Sequence, residues 1–207
     1  MTSLPIDTAS LLAIAAALGW ASGLRLYAVV FFTGLAGHLG WVQLPTGLHL
    51  LQSTVMLGAS GFMLFIEFFA DKIPGLDTLW DMVHTVVRIP AGAALAAAVF
   101  GADQASWAMA AALMGGTLAA TSHLAKATTR AALNASPEPF SNIAMSLVGD
   151  SVVPASLWLS WAHPVAFLAA LAVALVMMVA LIWVFAKFLR RLARRVSGWF
   201  GAGQPST

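Results

Sequence analysis

Residues 164–186 read PVAFLAALAVALVMMVALIWVFA, an apolar run that contains no charged side chain. A helix needs about 20 largely apolar residues to cross the ~30 Å hydrocarbon layer of a bilayer. This run therefore predicts a transmembrane helix, and the other segments of the chain must be placed relative to the same membrane.

The composition of the whole chain supports a membrane protein. Of the 207 residues, 60% are hydrophobic and only 9% are charged, whereas a soluble domain has about half apolar and a quarter charged residues. The absence of cysteine excludes a disulfide-stabilised scaffold, and the high apolar content excludes a disordered chain. The remaining class is an all-α, polytopic transmembrane helix bundle.

Six apolar segments are candidate membrane spans. The first is too long for one straight crossing, so we expect it to break at residues 21–23, which read ASG. We expect the third and fourth spans to be short. The two parts of the chain, 8–101 and 105–186, resemble one another in outline, which predicts two inverted three-span halves with broken first helices inside one transmembrane domain, 1–186. The six segments are 10–37, 50–70, 88–100, 106–121, 142–161 and 164–186.

The basic residues predict an orientation. Lys72 and Arg88 lie in the second connection, Lys126 and Arg130 lie in the fourth, and five further basic residues lie between 187 and 195. The first, third and fifth connections contain no Lys or Arg. Because positive charges are retained in the cytoplasm, six crossings predict an inner-membrane protein with cytoplasmic N- and C-termini.

Residues 187–207 predict a cytoplasmic, basic amphipathic tail. Apolar side chains recur there at helical spacing, with arginines on the other side, so contact with anionic lipid is expected. Alternatively, the arginines only fix the orientation of the last span. The formal net charge is only +2, and the positive charge lies at a membrane edge, so no nucleic-acid partner is expected. The arginines are Arg190, Arg191, Arg194 and Arg195.

Ionisable side chains within spans are costly, and each is a candidate for a pathway or a binding site. Two stripes of such residues recur at helical spacing, a mainly acidic one over 77–88 and a basic one over 123–130. Both are predicted on the cytoplasmic side, so they are expected to pair with each other. The complete set of candidates is Arg25, Glu67, Asp71, Lys72, Asp77, Asp81, His84, Arg88, His123, Lys126, Arg130 and Asp150.

Arg25 lies near the middle of the first span without an acidic neighbour in sequence. An uncompensated arginine at that depth would cost at least about 2.5 kcal/mol. It therefore needs a carboxylate such as Glu67 or Asp150, a water-filled cavity, or an anionic ligand. We hypothesise an Arg25–Asp150 pair, because Asp150 is a negative charge within the fifth span that also needs a partner of opposite charge.

Enzyme signatures are not found in the sequence. It contains no metalloprotease helix, nucleophile elbow, phosphate-binding loop or dinucleotide fingerprint, and no cofactor is expected. The nearest approach to a metal site is the set Asp71, Asp77 and Asp81, which could hold a divalent cation with a lipid phosphate.

Several motifs resemble a known family. They include Gly23-Leu24-Arg25, the stretch Glu67-Phe-Phe-Ala-Asp71-Lys72-Ile-Pro74, and the segment 142–150. Together they resemble a bacterial integral-membrane family catalogued as domain of unknown function 4126. The resemblance covers nearly the whole chain except the arginine-rich tail. It implies a multi-span inner-membrane protein and supplies no substrate. Where an acidic residue is expected beside Asp150, this chain has Gly149.

Three functions are compatible with these observations. The first is a small transporter or channel-like permease whose charged residues line the pathway. The second is a non-catalytic scaffold or assembly protein whose charges pair internally. The third is a metal-dependent enzyme acting on lipid phosphates at the membrane surface. Recurring glycines, such as Gly34 and Gly58, suit close helix contacts within the bundle or in a homo-oligomer.

Overall fold

The computed structural model describes residues 7–73, 75–134 and 139–201, and within these ranges the protein is all-helical. Short 3₁₀ segments, Thr46–Gln52 and Ala102–Gln104, precede α2 and α4. The α-helices are α1 (Thr8–His38), α2 (Thr54–Ala70), α3 (Leu76–Ala98), α4 (Ala105–Asn134), α5 (Pro139–Ala162) and α6 (Pro164–Gly201).

The described helices are those of an integral membrane protein. Four segments are long and apolar enough to cross a bilayer, and a fifth is added if the bent pair formed by the first 3₁₀ segment and α2 is one span. The helix α3 has 23 residues but carries Asp77, Asp81 and Arg88, which lower its mean hydropathy. The predicted count of six spans is therefore not confirmed.

The first helix folds back on itself at Arg25. The backbone of Arg25 is extended (φ −149°, ψ 91°) within an otherwise helical segment. Ser10 and Ala36, near the two ends of α1, line one common cavity with Trp41. In a straight helix these two residues would be about 39 Å apart. Residues 8–24 therefore enter the bundle and residues 26–38 return, so the prediction of a break is confirmed but its position at 21–23 is wrong.

This reversal fixes the two ends of the bundle. The start of α1 lies with the first connection, because Leu11 lines a cavity with Pro45 and Gly101. Ala162 at the end of α5 belongs to the same side, since it lines the cavity that contains Ser10. The other side of the bundle contains the α2–α3 and α4–α5 connections, and we call it the basic end. The side with the start of α1 and the end of α5 is called the opposite end.

The described chain begins and ends on different sides of the bundle. The helix α6 starts at the opposite end and runs for 38 residues toward the basic end. The expectation that both termini share one side assumed a single crossing by residues 10–37. In the structure the start of α1 and the end of α6 lie at opposite ends of the bundle, and the prediction that both termini are cytoplasmic stays a prediction.

Small residues bring the central helices into close contact. A Cβ atom at Gly19 would overlap the backbone of Gly115, and one at Gly23 would overlap the carbonyl oxygen of Ala119. Gly92 of α3 approaches both Gly19 and Gly115. Such contacts are the usual basis of tight helix packing in membranes. The first half of α1 is therefore the central, buried helix of the bundle.

Other sequence-based expectations are corrected by the helix boundaries. The helices that contain the third and fourth predicted segments are not short, since α3 has 23 residues and α4 has 30, although α3 is not among the four candidate spans. The prediction of inverted halves is not confirmed. Gly19 lies against Gly115 and Gly23 against Ala119, so the first half of α1 runs parallel to α4, whereas inverted halves require antiparallel first helices. The helix α4 also lacks the break that α1 has.

Residues 187–201 continue α6 without interruption. The cytoplasmic amphipathic tail expected over 187–207 stays a prediction. Residues 202–207 and the side chain of Arg195 lie outside the described part of the chain. Contact of the tail arginines with anionic lipid stays a prediction.

Candidate functional site

A group of paired charges surrounds the break in α1, and we call it the charge cluster. Within the described residues, five cations and five carboxylates contact one another with N–O distances between 2.6 and 3.8 Å. The formal charges of the cluster therefore balance. The other five of the ten Lys and Arg residues lie between 187 and 195. The cations are Arg25, Lys72, Arg88, Lys126 and Arg130, and the carboxylates are Glu67, Asp71, Asp77, Asp81 and Asp150.

Asp71 is the most connected carboxylate. It follows the last residue of α2 and is fully buried. Its oxygens lie 3.1 Å from Arg25 Nη2, 3.1 Å from Lys126 Nζ and 3.0 Å from Arg130 Nη1. Burial opposes its ionisation, but these three cations outweigh burial and hold the pKa of Asp71 below its ordinary value. Asp71 therefore joins α1 to α4 through its ion pairs.

Arg25 joins the break in α1 to α5. Its Nη2 lies 2.9 Å from Asp150 Oδ1 and donates to Ser146 Oγ at 2.8 Å. Lys72 Nζ lies 3.1 Å from the other oxygen of Asp150. The hypothesised Arg25–Asp150 pair is confirmed. Asp150 is shared, however, and Arg25 also contacts Asp71, so this is one bond of a network.

The two sequence stripes meet as predicted. Lys126 Nζ and Arg130 Nη1 lie 3.1 and 3.2 Å from the two oxygens of Asp81. Arg130 Nη1 also lies 3.8 Å from Asp77. Asp77 additionally accepts from the backbone N–H groups of Gly75 and Thr78, where it fixes the start of α3. These contacts hold α3 against α4 at the basic end.

Arg88 is the deepest member of the charge cluster. It lies twelve residues into α3, about 18 Å from the start of that helix. It donates to Glu67 Oε1 at 2.8 Å and to Asp81 Oδ1 at 2.6 Å. His123 Nδ1 lies 3.3 Å from Arg88 Nη1, and His123 Nε2 lies 2.7 Å from Thr85 Oγ1. His123 thus extends the network toward the centre of the bundle.

The break leaves backbone carbonyls of α1 without helical partners, and α4 supplies donors for them. Lys126 Nζ donates to the carbonyl of Leu24 at 3.0 Å, and Ser122 Oγ donates to that of Trp20 at 2.6 Å. A cation at the C-terminal end of a helix also interacts favourably with the negative end of the helix dipole. The position of Lys126 therefore stabilises the interruption of α1.

His84 lies beside these pairs with other partners. Its Nε2 is 3.2 Å from the hydroxyl of Tyr27, and its ring stacks on Trp80 at 4.0 Å. Tyr27, Ser146 and Thr85 were not singled out in the sequence. Only Tyr27 carried a signal, because it lies two residues after Arg25 and is the single tyrosine of the chain.

Several buried polar atoms of the charge cluster lack hydrogen-bond partners among the described residues. They are Arg25 Nη1, Glu67 Oε2, Arg88 Nε and Asp81 Oδ2, the last of which is in ion-pair contact with Arg130. Leaving such an atom unpaired costs about 1–3 kcal/mol, and more for charged groups. The cluster is thus balanced in charge without being complete in hydrogen bonds.

A cavity of about 210 Å³ adjoins one side of the charge cluster. Its polar lining consists mainly of Arg25, Asp71, Lys126 and Arg130, and the rest is largely apolar side chains from α1, α5 and α6. We call it the cluster cavity. A separate cavity of about 880 Å³ lies at the opposite end, between α1 and α5.

The hypothesis of a metal centre gains no support from the geometry. Over the ranges that the structure describes, no three His, Cys, Asp or Glu side chains are placed to hold a metal ion. Asp71, Asp77 and Asp81 instead share Arg130 as a partner. Their charge is compensated by cations of the protein itself.

Comparison with known proteins identifies the family. A family model described as a domain of unknown function (DUF4126) matches residues 12–185, so the chain belongs to that family. No curated protein and no solved structure matches the chain.

Proposed function

From membership of this family and the geometry of its site, we propose that the protein is a small membrane transporter or permease. The charge cluster lies on its pathway, and the break in α1 at Arg25 is the movable element. Interrupted helices with charged residues at the interruption are common at the binding sites of transporters. Ionisable groups at membrane depth also commonly mark ion or substrate pathways.

The observation that carries this proposal is the incomplete hydrogen bonding of the charge cluster. In a charge network whose only role is to hold helices together, we expect every buried polar atom to have a hydrogen-bond partner. Here Arg25 Nη1, Arg88 Nε and Glu67 Oε2 lack partners in the described residues, and a cavity adjoins the cluster. Arg25 lines this cavity, whereas Glu67 and Arg88 are fully buried beside it, so hydrogen-bonding capacity is left unused inside the bundle.

A scaffold is the second candidate function. It is favoured by the charge balance of the cluster, in which each of the five carboxylates contacts at least one cation. In that case the charges would select one packing of the helices and move nothing. Transport measurements separate these two functions.

The test is a flux assay on purified protein in liposomes, with protons, monovalent cations and small anions each driven by a gradient. Asp81→Asn removes a charge that contacts Arg88, Lys126 and Arg130. Asp103→Asn is the matched control, because Asp103 is exposed at the opposite end. Both variants are first checked for monodispersity and thermal stability.

We expect flux above that of protein-free liposomes for wild type and Asp103→Asn, and at least a tenfold loss for Asp81→Asn. Flux that Asp81→Asn leaves unchanged would place the pathway elsewhere. The scaffold would be favoured if no species crosses in any sample while Asp81→Asn still lowers thermal stability.

A further inference from the structure

The cluster cavity combines a cationic wall with an apolar one. Three cations, Arg25, Lys126 and Arg130, line it together with one carboxylate, Asp71. That carboxylate already contacts all three cations. The other carboxylate partners of these cations, Asp77, Asp81 and Asp150, do not line the cavity. The charges nearest to the cavity are therefore mainly positive, which favours an additional anion there over an additional cation.

Arg25, which lines the cavity, retains one buried hydrogen-bond donor that is not used. Its Nη2 contacts Asp71, Asp150 and Ser146, whereas its Nη1 has no hydrogen-bond partner within the described ranges. The side chain of Arg25 is only 2% exposed. A planar guanidinium is suited to phosphate and carboxylate oxygens, which it can bind through two parallel hydrogen bonds.

The apolar wall of the cavity faces the bilayer. Met145 and Val148 of α5 and Leu181 of α6 line it, and they are 41%, 52% and 42% exposed. All three lie in segments apolar enough to span the membrane, where an exposed side chain contacts lipid. The mouth of the cavity is therefore reached from the hydrocarbon layer, which a free inorganic anion enters at great cost.

The size of the cavity limits what can occupy it. Its volume of about 210 Å³ is below the 300–1,000 Å³ that encloses a drug-sized ligand. Several water molecules would fit, because one water occupies about 30 Å³ of liquid. An anionic head group fits in the same way, while an attached hydrocarbon chain would lie outside, along α5 and α6.

We propose that the cluster cavity binds the anionic head group of an amphiphile, a phosphate or carboxylate attached to a hydrocarbon chain, that enters sideways from the bilayer. This proposal names a substrate class for the transporter proposed above and rests on that function. Binding is measured without flux, so the two proposals can fail separately.

Gly149 offers a way to test the site with little change to its surroundings. A Cβ atom added there would lie 3.4 Å from Arg25 Nε, an ordinary contact, and Gly149 lines the cavity. Gly149→Glu would place a tethered carboxylate where we expect the head group. Gly149→Gln has the same shape without the charge, and Gly149→Ala adds only one methyl group.

The assay is a titration of detergent-purified protein, followed by its melting temperature. The probes are dioctanoyl phosphatidic acid, dioctanoyl phosphatidylglycerol, octanoate, dioctanoyl phosphatidylcholine and inorganic phosphate. The basic tail is a competing site for anionic lipid, so all proteins carry glutamine in place of Arg190, Arg191, Arg194 and Arg195.

We expect saturable stabilisation by the anionic amphiphiles at concentrations at least tenfold below those needed for phosphatidylcholine or inorganic phosphate. Gly149→Ala should retain this binding, and Gly149→Glu should lose it. Without ligand, Gly149→Glu should melt at a higher temperature than Gly149→Gln, because a carboxylate accepts a stronger, charge-assisted hydrogen bond from the unpartnered Arg25 Nη1 than an amide oxygen does.

Other outcomes overturn the proposal. Inorganic phosphate binding as tightly as the amphiphiles would make this a site for free anions. Equal affinity for phosphatidylcholine, or unchanged binding by Gly149→Glu, would remove the cavity as the site. Loss of flux with binding intact would contradict only the transport function.

Discussion

At the residue scale, Arg25 and Asp71 have the largest consequences for the structure. Arg25 is at once the interruption of α1 and a partner of two carboxylates, Asp71 and Asp150. Asp71 contacts cations from α1 and α4. The backbone conformation at Arg25 and the pairing of its side chain therefore stabilise each other.

Removal of the two aspartates should have unequal effects. Asp71 is fully buried among three cations, whereas the side chain of Asp150 is 19% exposed and contacts two. We expect Asp71→Asn to destabilise the protein by about 3–5 kcal/mol, the range for breaking a buried ion pair, and Asp150→Asn by about 1–2 kcal/mol. Thermal unfolding in detergent measures both, and a larger effect of Asp150→Asn would contradict this ranking.

The pH dependence of the Asp71 effect has a defined sign. Its folded-state pKa is lowered by Lys126, Arg130 and Arg25 against the effect of burial. Its contribution is therefore fully present above the unfolded pKa, about 3.9, and is lost as pH falls below that value. The difference in melting temperature between wild type and Asp71→Asn should be constant from pH 8 to pH 5 and shrink below about pH 4. A difference that disappears between pH 7 and pH 5 would show that Asp71 titrates there.

Individual pairs were partly predictable from the sequence. The Arg25–Asp150 pair followed from two unpaired charges of opposite sign, and the pairing of the two stripes followed from their helical spacing. The contact of Glu67 with Arg88 was not predicted, because it depends on how α2 crosses α3. The simultaneous contact of Asp71 with cations of α1 and α4 was also not predicted. Sequence spacing gives no information on which helices meet at one point.

At the element scale, α1 differs most from expectation. A broken first helix was predicted, and the small residues at 21–23 were predicted to be the position of the break. In the structure those residues instead allow close packing on α4, and the helix is interrupted two residues later. The interruption occurs where the Arg25 side chain contacts Asp71 and Asp150. At the same place, Lys126 Nζ donates a hydrogen bond to the carbonyl of Leu24. Tertiary contacts, which a single sequence does not display, decided the position.

The packing of α1 on α4 gives a prediction at this scale. A methyl group at Gly23 would overlap the carbonyl of Ala119 and the hydroxyl of Ser122, which donates to Trp20. Gly23→Ala should therefore cost about 1–3 kcal/mol, as overpacking does. Gly58→Ala is the matched control, because a Cβ atom at Gly58 meets nothing within 4 Å. The melting temperatures of the two variants are compared in detergent, and we expect the lower value for Gly23→Ala. Equal values would contradict the close contact between α1 and α4.

Helix boundaries were harder to predict than helix existence. The predicted segments 88–100 and 106–121 were bounded by their apolar residues and so left out most of the polar stripes over 77–88 and 123–130. In the structure each stripe is continuous with its neighbouring span, in α3 and in α4. The polar side chains are compatible with membrane depth because they pair with each other across the two helices.

At the scale of the whole molecule, the fold-back of α1 brings the basic residues to one end. The sequence left Arg25 as the exception to a regular distribution of positive charge. With α1 reversed at Arg25, this residue lies at the basic end with Lys72, Lys126 and Arg130. The positive-inside rule then predicts that the basic end faces the cytoplasm and that the start of α1 faces the other side of the membrane.

The absence of cysteine from the chain makes this orientation directly measurable. Single cysteines at Thr8 and Gln43 would report on the opposite end, and single cysteines at Ile73 and Phe140 on the basic end. All four positions are exposed. A membrane-impermeant maleimide applied to intact cells, and separately to inverted membrane vesicles, shows which side each position faces.

We expect Thr8→Cys and Gln43→Cys to be labelled together from outside the cell, and Ile73→Cys and Phe140→Cys to be labelled only in inverted vesicles. Labelling of Thr8→Cys and Gln43→Cys from different faces would contradict it. In that case α1 would cross the membrane once, and Arg25 would not lie at the base of the cluster cavity.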